Sequence, residues 1–406
     1  MSLALLPNLG GEEGPGWRAF GDAPTVRTVA TLWSLLFAPG AELLHHEPSR
    51  PAWPEGLGPA PDGAAFAWLE ACEGVVPWIP TQDAAKDRRV AGRALFGCSP
   101  ELALAVHDKG FAHAVAEKER LLPPPLRGLI EVFDPEELRE ADSAIARMEG
   151  VLREWPEWAR RAFVLKPRIG TSGRGRVAGT DGRADTPSLR GALPRLASRG
   201  GALLEPWLER ISDLSVQLHI DRSAGVTVLA SLEQEITTAG LIVGHRGEID
   251  SRGRIFSGNA VEEELREGAA QVAVAAAARG FFGPCGVDAF VFRGPDGEAV
   301  LRPVVELNAR FTTGTITAGL IRRALGRVKR ELGLSPGERL SFRFRLDDDP
   351  EDPDGLEGAA HRLADQALLI PLSTDAAAAA RPRLLFSRTG RMPPAAIRSS
   401  GKAEQK

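Results

Sequence analysis

The feature that most limits the folds open to this chain is the segment FVLKPRIGTSGRGRVAG at 163–179, where a lysine precedes a glycine-rich stretch. In a Walker A loop the lysine follows the glycines and a helix comes next, whereas here Lys166 comes first and a strand pattern follows. The G-x-G-x-x-G spacing of a Rossmann fold is not met either. The segment therefore predicts a strand–turn–strand hairpin. Its backbone N–H groups, with Thr171, Ser172 and Arg174, could close over a polyphosphate, and a solvent-exposed glycine hairpin without a ligand is the alternative.

The composition is that of a globular protein with more than one domain. A chain of 406 residues is too long for one compact core and predicts two or three domains. Acids balance bases to a net charge of −4, which argues against a general nucleic-acid binder. No run reaches the ~18–20 apolar residues of a membrane span. The start MSLALLPNLGG lacks a basic segment, so we expect neither a signal peptide nor a membrane protein.

The reactive side chains limit the chemistry further. The three cysteines are Cys72, Cys98 and Cys285, with no C-x-x-C motif, which favours a reduced cytoplasmic protein without structural zinc. Tyrosine is absent, so any general acid or base must be His, Asp, Glu, Lys or Cys. Abundant Ala, Gly, Arg and Pro are typical of a GC-rich bacterial genome.

Helix and strand patterns alternate along the chain and predict an α/β (α+β) fold. Helices are expected to begin after Ser99, after Asp108, and at Asp134, where Glu137 completes a capping box and the helix runs to about residue 153. The strand patterns are AFVLKP, GRVAG, GALLEPWL, SDLSVQLHI, GVTVLASLEQEIT, CGVDAFVF and VLRPVVELNAR. Beyond residue 334 we expect further short strands, one helix, and a basic tail that is disordered.

Two of these strands carry polar groups that suit a metal ion. Glu306 and Asn308 are two residues apart in VVELNAR and therefore project from the same face of a strand. Asp288 in GVDAFVF could join them from an adjoining strand. Two carboxylates and an amide form an all-oxygen set suited to Mg²⁺. The alternative for each carboxylate taken singly is a salt-bridged strand residue.

In their order along the chain, these motifs resemble the ATP-grasp superfamily, which includes D-alanine–D-alanine ligase, biotin carboxylase and carbamoyl phosphate synthetase. The resemblance runs from about residue 100 to 325, and ELNARFTTG is its strongest single match. It implies four parts: an N-terminal α/β domain (1–107) like the one that precedes ATP-grasp, a central subdomain (108–204), a subdomain with the metal site (205–333), and an extension (334–406).

The resemblance also implies roles for individual residues. The residues that the resemblance implies for ATP binding are Lys109, Lys166, Thr171, Ser172, Gly173, Gly175, Glu205, Trp207, Leu208 and Asp213. The lysines would bind phosphates, and the glycine loop would close over them. Glu205 would accept from the adenine amine, the backbone at Trp207 and Leu208 would meet the ring edge, and Asp213 would bind the ribose. Asp288, Glu306 and Asn308 would hold Mg²⁺ or Mn²⁺.

The chain departs from the family at one catalytic position. Many members carry an arginine two residues before the metal-binding Asp, where this chain has Gly286. Arg310 is the expected substitute for binding the transferred phosphoryl group, with Arg302 as a second candidate. Arg310 and Lys166 are thus the implied catalytic residues.

The resemblance implies an ATP- and Mg²⁺-dependent ligase that converts a carboxylate to an acylphosphate for attack by an amine, or less often a thiol. The alternatives are an ATP-grasp kinase acting on a hydroxyl and a nucleotide-binding regulator without turnover. The expected partners are small carboxylate and amine substrates rather than nucleic acid or membrane, and a homodimer is open because relatives often form one. The inward polar candidates for a general base are Gln217, His219, Glu233 and Glu235.

Overall fold

The protein is described from a computed structural model. The described residues are 3–20, 23–44, 53–61, 63–90, 92–171, 173–237, 240–347, 355–372 and 381–388. Ser172 and the predicted basic tail beyond residue 388 lie outside them. Among the described residues, no helix has the length and apolarity needed to cross a membrane.

The N-terminal part of the chain forms a small parallel sheet in the order β2-β1-β3. Its strands are β1 (Ala4–Leu6), β2 (Glu42–Leu43) and β3 (Val75–Pro77), and its α-helices are α1 (Pro24–Ser34) and α2 (Gln82–Ala85). A short 3-10 turn, Gly11–Glu13, follows β1, and a longer 3-10 segment, Ala64–Ala71, precedes β3.

A four-stranded antiparallel sheet carries the glycine loop, in the order β4-β7-β5-β6. The strands are β4 (Glu131–Phe133), β5 (Ala162–Pro167), β6 (Val177–Thr180) and β7 (Ala202–Pro206). The helices before and within it are α3 (Pro100–His107), α4 (Lys109–Lys118), α5 (Ala141–Glu154), α6 (Glu157–Arg160) and α7 (Pro187–Ser198). The side chains of Ser99 and Asp108 cap α3 and α4, as their sequence pattern predicts.

The helix expected from Asp134 begins later than predicted. Glu137 does accept from the Asp134 N–H at 2.7 Å, but this contact closes only a 3-10 turn, Glu137–Arg139. Glu140 then adopts φ −96° and ψ 86°, outside the helical region, and α5 starts at Ala141. A correct capping signal thus initiates one turn and not the whole helix.

A larger sheet carries the predicted metal strands, in the order β13-β12-β8-β9-β10-β14-β16-β15, with β11 paired to β10. Its strands are β8 (Arg210–Ile220), β9 (Val226–Ile236), β10 (Ile242–Asp250), β11 (Ile255–Phe256), β12 (Gly283–Arg293), β13 (Ala299–Asn308), β14 (Arg339–Arg345), β15 (Ala367–Pro371) and β16 (Arg383–Ser387). The remaining α-helices are α8 (Glu262–Ala278), α9 (Thr313–Leu332) and α10 (Leu356–Leu363). The strands after residue 334 therefore extend the same sheet.

Helix α9 connects the metal strands to the N-terminal part of the molecule. It begins with a capping box between Thr312 and Thr315 directly after β13. Its buried side chains, including Ile321 and Leu325, share one apolar core with α1, the 3-10 segment at 64–71 and the strands β9, β10 and β14. Each such side chain contributes about 1.5–3 kcal/mol on burial, so the core holds the N-terminal sheet against the end of β13.

Candidate active site

The three predicted metal ligands lie together on β12 and β13. These strands are antiparallel neighbours, and their register sets Asp288 opposite Glu306 and Gly286 opposite Asn308. The Asn308 amide donates to Asp288 Oδ2 at 2.9 Å, and Gln234 from β9 donates to Asp288 Oδ1 at 3.1 Å. The described residues hold no group of three or more His, Cys, Asp or Glu suited to a metal ion, so an ion here would depend on the amide oxygen of Asn308 as well.

The two carboxyl groups have opposite electrostatic environments. Burial, and then the facing Glu306 carboxylate, raise the pKa of Asp288 to about 7. Burial also acts to raise the pKa of Glu306, but the ammonium of Lys109, 2.9 Å from its Oε2, together with His107 and Lys166, outweighs that effect and lowers the pKa to about 2. Two facing carboxyls that cannot both ionise freely are the situation that a divalent cation relieves, so these residues fit such an ion.

Lys109 links the metal strands to the glycine loop. It is the first residue of α4. Besides its pair with Glu306, its ammonium donates to the carbonyl oxygen of Gly170 at 3.2 Å. The predicted phosphate-binding lysine is thus brought to the carboxylates and to the loop at once.

Lys166, the lysine of the opening motif, pairs with Glu205. Lys166 lies on β5 and Glu205 on the neighbouring strand β7, and their side chains are in direct contact. The other Glu205 oxygen accepts from both terminal nitrogens of Arg302 at 3.1 Å. Burial acts to raise the pKa of Glu205, but Arg302 and Lys166 outweigh it and lower the pKa to about 2. Glu205 is therefore the shared counter-ion of two buried cations.

The other residues expected at the adenine and ribose lie at the junction of the two larger sheets. The side chain of Trp207 is partly solvent-exposed, and the residue as a whole is 46% exposed. Its backbone N–H donates to the Ala162 carbonyl at 2.8 Å, so this backbone donor is already used within the protein. Leu208 packs against the aromatic pair on β12. Asp213, at the start of β8, is paired with Arg210.

The glycine loop contains two residues in the left-handed region. Gly173 has φ 66° and Gly175 has φ 83°, values that other residues rarely adopt. The Thr171 N–H donates to Glu13 Oε1 at 3.1 Å, and its hydroxyl accepts from Arg310 Nη2 at 2.9 Å. The loop thus contacts both the N-terminal part of the chain and the end of β13.

Gly286 stands where many members of the family have an arginine, and its surroundings leave little room for a side chain unless Gln217 and Thr312 move. A Cβ atom built on it would lie 2.9 Å from Gln217 Oε1 and 3.0 Å from Thr312 Cγ2. Arg302, the second substitute considered, is buried against Glu205 and Phe290 instead. Arg310 is the arginine that contacts both the glycine loop and Asn308, whose oxygen accepts from it at 3.0 Å.

The four candidates for a general base do not lie together. Gln217 contacts the α9 cap at Thr312, and the His219 ring stacks on Trp68 with centroids 4.3 Å apart. The expectation that Glu233 and Glu235 point inward is wrong. The amide of Gln234, which lies between them on β9, reaches Asp288, so its two neighbours project from the opposite face of the sheet.

On that opposite face, these glutamates have arginine partners. Glu233 pairs with Arg246 of β10, and Glu235 pairs with Arg343 of β14. Both acids are therefore structural partners of neighbouring strands.

Sequence reasoning missed two acidic residues, Glu12 and Glu13, in the 3-10 turn after β1. Glu12 has a side chain only 1% exposed, and its Oε1 lies 3.2 Å from Arg310 Nε. Burial acts to raise its pKa, but Arg310, together with His107, its own backbone and Thr171, outweighs burial and lowers it. Glu13 contacts Arg174 of the loop at 3.4 Å and Arg199 at 2.9 Å. The only signal in the sequence was two acids inside GGEEG.

Comparison with known proteins adds evidence about the fold. No protein-family model matches the chain, and no curated protein matches it in sequence. Pyruvate carboxylase from Rhizobium etli is similar in structure, with a TM-score of 0.51 and 14% identity over 96% of this chain and 36% of its own. For biotin carboxylase from Campylobacter jejuni the TM-score is 0.49 and the identity 12%, and the match covers 96% of this chain and 87% of that enzyme. For N5-carboxyaminoimidazole synthetase from Staphylococcus aureus the TM-score is 0.48 and the identity 12%, with 96% of this chain and 94% of that enzyme covered.

At such low identity the likeness is one of fold. The similarity to the Rhizobium etli enzyme agrees with the mixed sheets and helices described above. The predicted α+β architecture is confirmed, and the likeness in fold agrees with the resemblance to ATP-grasp proteins.

Proposed function

We propose that this protein is an ATP- and Mg²⁺-dependent ligase that activates a carboxylate as an acylphosphate, which an amine then attacks. The observation that supports it most is the convergence of Lys109, Arg310 and the glycine loop on the strand pair that carries Asp288 and Glu306. Cations and loop N–H groups on one side of two carboxylates suit a metal–polyphosphate group.

In this mechanism each group has a definite task. A bound divalent cation, held by Asp288, Glu306 and Asn308, would supply charge neutralisation at the phosphate oxygens. Lys109 and Lys166 would orient the phosphates and stabilise the negative charge that develops on them. Arg310 would bind the transferred phosphoryl group.

The glycine loop would complete the site by closing over the phosphates and excluding water. Exclusion of water matters because an acylphosphate is prone to hydrolysis. The amine would then displace phosphate from the activated carboxyl carbon, giving an amide and inorganic phosphate.

The test is ADP formation measured with panels of carboxylates and amines, with hydroxylamine added as a trap. A hydroxamate that forms only with ATP and a carboxylate supports the ligase. A stable phosphoester on a hydroxyl acceptor would instead identify a kinase. Nucleotide binding without turnover on any acceptor would identify a regulator.

A further inference from the structure

We infer that Glu12 is a positioning residue, which fixes the guanidinium of Arg310 in the orientation needed to bind the transferred phosphoryl group. The inference rests on the proposed function, in which Arg310 has that role. It adds a residue from the N-terminal part of the chain, outside the region of resemblance, to the phosphoryl site.

The turn that carries Glu12 is held rigidly. Asn8 is fully buried, and its amide both donates to the Ile79 carbonyl at 2.8 Å and accepts from the Ile79 N–H at 3.3 Å. Gly10 enters the turn with φ 82°, and a Cβ on Gly11 would come within 2.8 Å of the Asn8 amide. The turn therefore cannot shift without breaking a buried, two-bond contact with Ile79, two residues beyond the end of β3.

Arg310 has contacts at three of its nitrogens. Its Nε forms an ion pair with Glu12 Oε1 at 3.2 Å that lacks the geometry of a hydrogen bond, and its Nη1 donates to the Phe311 carbonyl at 3.0 Å. Only Nη2 faces the glycine loop and the metal strand, where it donates to Thr171 and Asn308. Glu12 and the Phe311 carbonyl thus orient the guanidinium plane, and Nη2 is the nitrogen that can exchange its partners for phosphoryl oxygens.

The two halves of this arrangement share one anchor. The Phe311 N–H donates to the Trp78 carbonyl at 3.2 Å, next to the residue that Asn8 holds. Segment 78–79 therefore fixes the turn with Glu12 on one side and the backbone beside Arg310 on the other. A closed chain of contacts of this kind determines the relative position of two charged groups better than a single ion pair does.

The burial of Glu12 excludes a passive surface role. A carboxylate with 1% exposed side chain is retained at a cost in solvation unless a cation compensates it. Arg310 is that cation, with 11% of its side chain exposed. The position of this arginine is thus coupled to a buried carboxylate, whose charge water does not solvate.

The first test is Glu12→Gln, which keeps the shape and removes the charge, compared with Glu12→Asp, which keeps the charge but shortens the reach. Misplacement of the guanidinium should lower kcat on the order of 10–100-fold, and KM for ATP should rise by no more than about tenfold, in step with the loss of affinity for the γ-phosphate. Glu12→Asp should fold as the wild type does and recover part of kcat. Glu263→Gln, an exposed charge on α8, is the matched control and should resemble the wild type.

Binding provides a readout independent of turnover. By calorimetry, Glu12→Gln should weaken binding of the ATP analogue AMP-PNP about tenfold and leave ADP, which lacks the γ-phosphate, unchanged. In an Arg310→Lys background the same substitution should change AMP-PNP affinity little, because residues that act as one unit are non-additive. Equal weakening of both nucleotides, no effect on either, or simple additivity with Arg310→Lys would overturn the inference. If the wild type binds neither nucleotide, the proposed function fails first and the inference with it.

Discussion

The buried charge cluster on β5, β7 and β13 makes a quantitative prediction about stability. Glu205 is 3% exposed and is the counter-ion of both Lys166 and Arg302. Replacement of Glu205 by Gln leaves two buried cations without compensation, and removal of one partner from a buried pair costs about 3–5 kcal/mol. Replacement of Lys166 by Met leaves Glu205 bonded by both terminal nitrogens of Arg302 at 3.1 Å, so we expect a smaller loss of about 1–2 kcal/mol.

The assay is urea-induced unfolding followed by circular dichroism, with the two single variants and the double variant compared under one set of conditions. The double variant should lose less than the sum of the singles, since only Arg302 is then unpaired. Glu157→Gln, which breaks the exposed pair with Arg161, should unfold at the same urea concentration as the wild type. A Lys166→Met loss equal to or larger than that of Glu205→Gln would refute the reasoning.

Three further predictions concern other parts of the molecule. Burial lowers the pKa of His245 to about 3, whereas its pKa in the unfolded chain is about 6.5. Between these two values only the unfolded chain gains a proton, so the free energy of unfolding decreases as the pH is lowered. His245→Gln should reduce that slope between pH 4 and 6 by up to ~1.4 kcal/mol per unit, and an unchanged slope in urea titrations would contradict the assignment. Glu306→Gln and Asp288→Asn should each abolish Mg²⁺-dependent ADP formation, and wild-type ADP formation in either variant would remove that residue from the metal site. Gly175→Ala should raise KM for ATP, because φ 83° is strained for alanine and its Cβ would meet Arg199 at 2.8 Å; an unchanged KM would mean that the loop conformation is not needed for binding.

Local rules were enough to predict the geometry of the metal strands. Alternation along a strand places Glu306 and Asn308 on one face, and a turn rich in Gly, Pro and Asp joins the two apolar runs into a hairpin. The register then sets Asp288 opposite Glu306. The glycine loop was predictable for the same reason, because glycines that adopt positive φ leave a signature in a short segment.

Contacts between distant parts of the chain could not be predicted in this way. Glu12 meets Arg310 only because α9 packs the N-terminal sheet against the end of β13, and no local pattern encodes that approach. Strand β10, IVGHRGEID, was missed because polar residues and two glycines interrupt its apolar alternation, although β9 and β14 flank it on both sides. Glu233 and Glu235 were predicted on the wrong face of the sheet. Alternation along a strand defines two faces, but it does not say which of them carries the site.

The pattern of ion pairs says how a metal–nucleotide complex would have to bind. Lys109 is paired with Glu306, so phosphate oxygens can gain its ammonium only by exchange with a carboxylate of the chain. Arg310 is paired with Glu12 through Nε, and phosphate oxygens would reach it at Nη2 instead. Glu306, once separated from Lys109, would be a buried carboxylate next to phosphates unless a divalent cation took it up, and that separation is costly. Glu12 has no such ion to receive it, so its pair with Arg310 is the one that must persist while Nη2 changes partners. Metal and nucleotide should therefore each favour the binding of the other, by reciprocal linkage through Lys109.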